Sequence, residues 1–364
     1  MEHQKSYICI DLKSFYASVE CVERGLDPFT TNLVVADPTR SQSTICLAIT
    51  PAMKKLGVKN RCRIHEIPAD IEYITAMPRM QLYMDYSAKI YSIYLRYISK
   101  EDIHVYSIDE CFMDVTDYLT LYDMTAKEMA VTLMDMVMKE TGITATAGIG
   151  TNLYLAKIAM DIMAKHVDDH IGMLDEISYR QKLWDHRPLS DFWRIGSRTE
   201  RKLAGYGIHT MGDIAYASVT SEDWLYKMFG IDAELLIDHA WGLESCGMSD
   251  IKNYHTEEHS LSNGQVLMRN YSYEEAAVVV REMTDVLVLD LVEKGLITSS
   301  ITLWVAYDHR MERPSSHGTL KLASPTNSSL TILDQVVELY RKITDRHIGI
   351  RRIEVTANRV TSEG

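Results

Sequence analysis

The sequence predicts an α+β chain with several domains, and three observations support this prediction. Its 364 residues, 46% of them hydrophobic, are enough to form more than one buried core. Strand and helix patterns alternate up to about residue 172, whereas residues 175–240 have helical patterns throughout. Residues 257–364 show the order β-α-β-β-α-β, which is typical of a ferredoxin-like domain.

The first element is an apolar strand, Tyr7–Ile10, which ends on Asp11 and leads through a turn into a helix. Residues 31–74 form a small polar and basic insertion, in which Pro51 begins a short helix. A longer helix begins at Met80. Its apolar residues recur at helical spacing and are expected to face a core; they are Leu82, Tyr86, Ile90, Ile93 and Tyr97.

A β-hairpin over residues 103–115 carries two adjacent acids, Asp109 and Glu110. A helix then ends at Gly142, the strand Ile143–Gly150 follows, and a helix is predicted over residues 152–166. In the C-terminal domain we expect these elements: strand Ser260–Leu267, helix Tyr273–Glu293, strands Ser300–Tyr307 and His317–Leu322, helix Leu330–His347 and strand Arg352–Val360.

Composition excludes some classes of protein. No run approaches the about 20 apolar residues of a membrane span, and there is no signal-peptide pattern, so we expect a cytoplasmic protein. The six cysteines include no CxxC pair and are expected to be reduced thiols.

The net charge of −13 argues against nucleic-acid binding, but phosphate contact needs only a local basic face. Two stretches are locally basic, so we expect a chain that is acidic on its back and basic along a groove. Their basic residues are Lys54, Lys55, Lys59, Arg61 and Arg63, and Arg341, Lys342, Arg346, Arg351 and Arg352.

Three carboxylates are expected at the ends of neighbouring strands: Asp11, Asp109 and Glu110. Such a group can hold hard divalent cations, and two metal ions about 4 Å apart serve in-line phosphoryl displacement. For the hairpin acids alone, a solvated turn explains the pattern equally well. Asp114 is assigned a surface or structural role.

These motifs resemble the signature of the Y-family, or translesion, DNA polymerases. The resemblance rests on DLKSFYASVE at residues 11–20 and YSIDE at residues 106–110, and continues through GIGTNLYLAKIAMDIMAKH and WRIGSRTERKLAGYGI to about residue 240. Beyond that it rests on the order of elements. The details are most similar to the bacterial UmuC-type branch.

The resemblance implies a right-hand polymerase with a ferredoxin-like palm, small fingers, a helical thumb and a ferredoxin-like little finger. On this basis we expect the palm at residues 1–30 and 75–172, and the fingers at 31–74. The thumb with its helix-hairpin-helix is expected at 173–242, an exposed linker at 243–256 and the DNA-binding little finger at 257–364.

It also implies chemistry: transfer of dNTPs to a primer 3′-hydroxyl opposite damaged DNA, as part of the SOS response. Asp11, Asp109 and Glu110 would hold two Mg²⁺ ions, for which Mn²⁺ can substitute, together with the backbone carbonyl of Leu12. Tyr16 matches the steric gate against ribonucleotides. The candidate nucleotide-binding residues are Phe15, Tyr16, Lys54 and Lys157, with Phe15 also assigned to the core, and the candidate DNA-binding residues are Ile195, Gly196, Arg351 and Arg352.

Two departures from the family pattern concern ligand contacts. Thr50–Lys54 lacks the tyrosine and arginine that many relatives use on the triphosphate, so that Lys54 would act as a point charge. Arg194 stands where the first hairpin glycine is usual, where it either adds a phosphate contact or disturbs the turn.

Two other functions stay open at this stage. Another palm-type nucleotidyl enzyme, such as a cyclase, would share the acids but needs no helix-hairpin-helix; a non-catalytic DNA-binding accessory protein would be expected to lose metal acids, which are all present. The expected partners are primer-template DNA and dNTPs. A sliding clamp is left open, because residues 361–364 carry no glutamine-led clamp-binding peptide.

Overall fold

The computed structural model describes residues 4–254 and 259–363. The chain divides into two compact units, Met1–Tyr254 and His255–Gly364. Within the described ranges, no helix is both long enough and apolar enough to cross a membrane.

The first unit contains strands and helices in alternation up to residue 174 and helices thereafter. Its strands are β1 (Tyr7–Leu12), β2 (Leu33–Val35), β3 (Ala48–Ile49), β4 (Ile74–Ala76), β5 (Ile103–Val105), β6 (Glu110–Asp114), β7 (Ala145–Gly150) and β8 (Ile171–Leu174). Its helices are α1 (Phe15–Glu23), α2 (Pro51–Lys55), α3 (Met80–Tyr94), α4 (Thr116–Tyr122), α5 (Ala126–Thr141), α6 (Leu153–Ile158), α7 (Glu176–Leu183), α8 (Ser197–Ala204), α9 (Met211–Thr220), α10 (Glu222–Phe229), α11 (Asp232–Trp241) and α12 (Met248–Asn253).

A five-stranded sheet in the order β5-β6-β1-β7-β8 forms the centre of this unit. β1 runs antiparallel to β6 and β7, and its residues from Tyr7 to Ile10 are buried. On one face of the sheet lies a core that includes Ile90 and Ile93 of α3, as the helical spacing predicted. Strands β5, β6, β1 and β7 lie in the order of a ferredoxin-like sheet, which confirms the predicted fold of this part.

A second, small sheet, β3-β2-β4, lies in the region predicted to be the fingers. It has a separate hydrophobic cluster, whose buried members are Val34, Ala36, Cys46, Ile49, Met53, Val58, Cys62 and Ile67. Helix α2 begins at Pro51 as predicted, and the Thr50 hydroxyl caps it by accepting a hydrogen bond from the Met53 amide.

The helix predicted over residues 152–166 is not continuous. Helix α6 ends at Ile158, a π-helical turn follows over Ala159–Met163, and a 3₁₀ turn completes the segment. Residues 152–166 contain no Gly or Pro that would mark a break in the helix, so the π turn was not predicted.

The expected exposed linker over residues 243–256 is only partly observed. Helix α12 lies within it, and Met248 is buried in a cluster with Tyr7, Cys9 and Phe112 of the central sheet. The prediction missed this contact because the segment is mostly polar and Met248 anchors it to the sheet. The part of the linker at residues 255–256 lies outside the described residues.

The second unit contains all six predicted elements. They are β9 (Leu261–Tyr271), α13 (Tyr273–Glu293), β10 (Leu296–Tyr307), β11 (Ser316–Thr326), α14 (Ser329–Ile343) and β12 (Ile350–Ser362). The strand order is β11-β10-β12-β9, all antiparallel, so the C-terminal strand lies between β9 and β10. In the sheet of the first unit the first strand of the motif, β1, lies between the third and fourth, β6 and β7, so the two sheets share an element order and differ in strand order.

Candidate active site

Three acidic residues meet at the end of the central strand. Asp11 near the end of β1 is the register partner of Glu110 at the start of β6. Asp109 directly precedes β6, and its carbonyl accepts a hydrogen bond from the Leu12 amide at 3.0 Å. The Ser107 hydroxyl donates to the Asp109 carboxylate at 2.7 Å and so orients it. The turn and the sheet register thus bring together the residues predicted to hold metal ions.

The electrostatics of this cluster are unfavourable without a cation. Burial raises the pKa of Asp11 to about 8, and the nearby charges of Asp109 and Glu110 contribute in the same direction. Burial also raises the pKa of Glu110, against the opposing effect of Lys157. At neutral pH the metal-free chain therefore favours a protonated Asp11.

Lys157 on α6 is buried beside this cluster, with 7% of its surface exposed. Its ammonium nitrogen lies 2.7 Å from Glu110 Oε1 and 3.1 Å from Asp161 Oδ2. The Cys9 thiol donates a third contact to Glu110, at 3.3 Å. Among the described residues no group of three His, Cys, Asp or Glu side chains has a ready metal-binding arrangement, and the contact with Lys157 accounts for the position of Glu110.

The two aromatic residues after the turn occupy different environments. Tyr16 is half-buried, and its ring stacks on that of Tyr83 with a centroid distance of 4.5 Å. Burial and the charge of Asp109 raise the pKa of its hydroxyl, which shows that the ring lies near the acids. Phe15 is only 3% exposed and packs in the main core. Phe15 therefore has the core position that was also assigned to it from the sequence, and its role in nucleotide binding stays a prediction.

A buried ion-pair network holds Tyr83, and sequence reasoning did not find it. Glu20 is fully buried and accepts hydrogen bonds from the Tyr83 hydroxyl and the Arg79 guanidinium, both at 2.7 Å. Burial opposes its ionisation, but these bonds hold the pKa of Glu20 at about 2. The sequence feature that could have revealed it is the position of Glu20 on the otherwise buried face of α1. Its basic partner, Arg79, is 59 residues away.

Two lysines, Lys13 and Lys54, lie within electrostatic range of Asp11, and Lys165 lies near Lys54. Burial together with the nearby charge of Lys165 lowers the pKa of Lys54. The pKa of Lys13 is lowered by burial and by Lys54. Lys54 was predicted from the sequence; Lys13 and Lys165 were missed, because only the fold brings these segments together.

The turn predicted to belong to a helix-hairpin-helix connects a short 3₁₀ helix, Leu189–Asp191, with α8. Arg194 adopts a left-handed conformation, with φ of 69°, which a glycine would adopt without strain. Ile195 is buried and Gly196 precedes the first residue of α8, whose first-turn N–H groups have no helical acceptor. The substitution of arginine for the usual glycine therefore leaves the turn in place.

In the second unit, Arg351 and Arg352 lie near the start of β12, next to a register shift against both neighbouring strands. The Arg352 guanidinium lies over the Trp304 ring at 5.3 Å and donates to Glu354 at 3.1 Å. Arg341 and Lys342 belong to helix α14, so the C-terminal basic stretch is divided between a helix and the sheet.

Comparison with known proteins agrees with this arrangement. The model of the impB/mucB/samB family matches residues 10–161, and the model of its C-terminal domain matches residues 258–364. The putative UV-damage repair protein UvrX of Bacillus subtilis (strain 168) is 31% identical over 99% of this chain and 84% of its own length. DNA polymerase IV 2 of the same organism is 29% identical over 100% and 86%.

Solved structures show the same fold. The Y-family DNA polymerase chimera Dbh-Dpo4(243-245)-Dbh aligns with a TM-score of 0.77 over 98% of this chain and 99% of its own, at 21% identity. The insertion ternary complex of Dbh DNA polymerase aligns with a TM-score of 0.58, with the same coverage and identity. The chain therefore belongs to the impB/mucB/samB family and is a Y-family, translesion DNA polymerase.

Proposed function

We propose that this polymerase extends a primer opposite damaged DNA by two-metal nucleotidyl transfer, with Asp11, Asp109 and Glu110 as the metal ligands. The observation that carries the proposal is the meeting of these three carboxylates at the end of the central strand. Members of the family are metal-dependent enzymes; Mg²⁺, with Mn²⁺ as a substitute, is our proposal for the ions.

The residues present fit such ions. Carboxylate oxygens, with the Leu12 carbonyl, form the all-oxygen set that Mg²⁺ prefers. The ammonium of Lys157 already lies on Glu110, so that carboxylate binds a cation in the metal-free chain. When bound, the two ions would favour ionisation of the primer 3′-hydroxyl and neutralise charge on the departing pyrophosphate.

The chain itself contributes mainly positioning. Ser107 and the backbone bond to Leu12 hold Asp109 in place. Lys13, Lys54 and Lys165 would attract the triphosphate as point charges, and the Tyr16 ring would lie against the sugar. Lys157, expected to bind the triphosphate, instead contacts Glu110 and Asp161.

Residues other than the acids would hold the DNA backbone. The N–H groups that begin α8 after Ile195 and Gly196 can bind a backbone phosphate, and Arg351 and Arg352 offer positive charge in the second unit. These contacts carry no sequence information, which suits a polymerase that must accept any template.

The test is primer extension by the full chain on undamaged and lesion-containing templates, with and without Mg²⁺. We expect Mg²⁺-dependent incorporation on both templates. DNA binding without any incorporation would contradict the proposal and favour the accessory-protein alternative.

A further inference from the structure

In the metal-free chain, the ammonium group of Lys157 is the cation that contacts the Glu110 carboxylate. Lys157 Nζ lies 2.7 Å and 2.9 Å from the two oxygens of the Glu110 carboxylate, and both side chains are at least nine-tenths buried. A divalent ion cannot use the same oxygens while the ammonium occupies them, because two cations at such short distance repel each other strongly.

A second acceptor for the same ammonium is already in contact. The Asp161 carboxylate lies 3.1 Å from Lys157 Nζ and is more exposed than Glu110. Asp161 belongs to the π-helical turn that follows α6, a local irregularity that is frequent at functional sites. Lys157 therefore contacts one carboxylate inside the acidic cluster and one at its edge.

The helix that carries Lys157 cannot move to separate it from Glu110. A Cβ atom at Gly148 would lie 2.0 Å from the Ala156 carbonyl, and one at Gly150 would lie 2.2 Å from the Ala156 amide. Strand β7 and helix α6 therefore pack backbone against backbone, and the position of the Lys157 main chain is fixed. An exchange of partners therefore requires rotation of side chains, and Lys157 already contacts both acceptors.

We propose that Lys157 is a placeholder cation for the metal site at Glu110, and that Asp161 receives its ammonium when a divalent ion binds. Both are positioning residues that act through Glu110. The inference rests on the proposed role of Glu110 as a metal ligand, and it removes Lys157 from the triphosphate-binding set. The placeholder keeps the buried Glu110 charge paired between catalytic cycles, when an unpaired charge would be costly.

The two partners should affect metal affinity in opposite directions. Lys157→Met removes the competing cation, so Mn²⁺ should bind the DNA-free chain about fivefold more tightly or better, the low end of typical coupling between sites. Asp161→Asn leaves Lys157 with Glu110 alone, so Mn²⁺ should bind more weakly. Since Asp161 acts through Lys157, adding Asp161→Asn to Lys157→Met should change the affinity little.

The measurement is the loss of the free Mn²⁺ electron paramagnetic resonance signal on titration of the full chain at pH 8, with folding checked by circular dichroism. Lys157→Arg keeps the charge and should retain near wild-type affinity. Lys127→Met removes an exposed lysine that pairs with Asp169 and should have no effect. Asp161→Asn, whose side chain is 31% exposed, provides the test if Lys157→Met does not fold.

Unchanged or weaker Mn²⁺ binding by Lys157→Met would overturn the placeholder role. The role would also be overturned if Asp161→Asn lowered the Mn²⁺ affinity equally in the wild-type chain and in the Lys157→Met variant. Failure of the proposed function would give a result different from failure of the placeholder role. In that case the wild-type chain would bind no Mn²⁺, or Asp109→Ala would bind it as well as wild type.

Discussion

Removing the Tyr16 ring should relax discrimination against ribonucleotides. Tyr16 is the second residue of α1, five residues after Asp11, and its ring lies within the electrostatic range of Asp109, so it is close to where the sugar of a metal-bound nucleotide would lie. It stacks on Tyr83, which the buried Glu20 network holds in place. A ring fixed in this way cannot easily yield to a 2′-hydroxyl group.

The magnitude follows from the cost of the clash. If the ring imposes about 3 kcal/mol on a ribonucleotide, its removal changes the rate ratio by about 10², since 1.36 kcal/mol is tenfold. The folded state loses mainly one stacked pair, worth about 0.5–1.5 kcal/mol beyond burial, so the variant should fold. Deoxynucleotide incorporation should fall far less than discrimination does.

The assay compares kcat/KM for a dNTP and its matching rNTP in single-nucleotide insertion. Tyr16→Ala should lower this ratio by about 10² or more, whereas Tyr16→Phe keeps the ring and should keep the ratio. Phe15→Ala should instead lower the free energy of unfolding by about 3–5 kcal/mol, as for a buried aromatic residue. An unchanged ratio in Tyr16→Ala would show that Tyr16 serves packing alone and that the gate lies elsewhere.

Three further predictions concern the acids and the basic surface. Asp109→Ala should abolish dNTP incorporation with little loss of fold or DNA binding; more than a few per cent of wild-type extension would contradict the two-metal assignment. The pKa of Asp11 is about 8 in the folded, metal-free chain and 3.8 when unperturbed. Between pH 3.8 and 8 the folded state therefore binds one more proton at Asp11 than the unfolded state does. Its unfolding free energy relative to Asp11→Asn should therefore fall as pH rises from 4 to 8, by up to about 1.4 kcal/mol per unit, and parallel curves in chemical denaturation would refute this. Reversal of Arg351 and Arg352 to Glu should weaken primer-template binding about equally for all sequences and flatten its decline with log salt concentration, as measured by fluorescence anisotropy; an unaltered affinity would remove β12 from the DNA contact.

Local patterns predicted most of the fold. The spacing of apolar residues correctly predicted the first residues of α3 and α13. Pro51 and Gly142 correctly predicted the start of α2 and the end of α5. Asp11 ends an apolar strand and Asp109 and Glu110 lie in a hairpin, and the family resemblance of both segments allowed these acids to be grouped before the sheet register was known.

What the sequence could not give depends on contacts between distant segments. The pairing of Glu20 with Arg79, and the grouping of Lys13, Lys54 and Lys165, leave no trace in local periodicity. Lys157 was recognised from its motif, yet its partner Glu110 is 47 residues away on another element. A motif identifies a residue, whereas the fold determines which charge that residue meets.

Three features that depart from ordinary folding rules lie at or beside the predicted ligand sites. Burial and the clustered acids raise the pKa of Asp11, Arg194 adopts a conformation that costs an L-residue about 1–2 kcal/mol, and Asp161 lies in a π turn. Bound cations would relieve the repulsion among the acids. A net charge of −13 does not by itself exclude action on DNA, because phosphate contact needs only a local basic face.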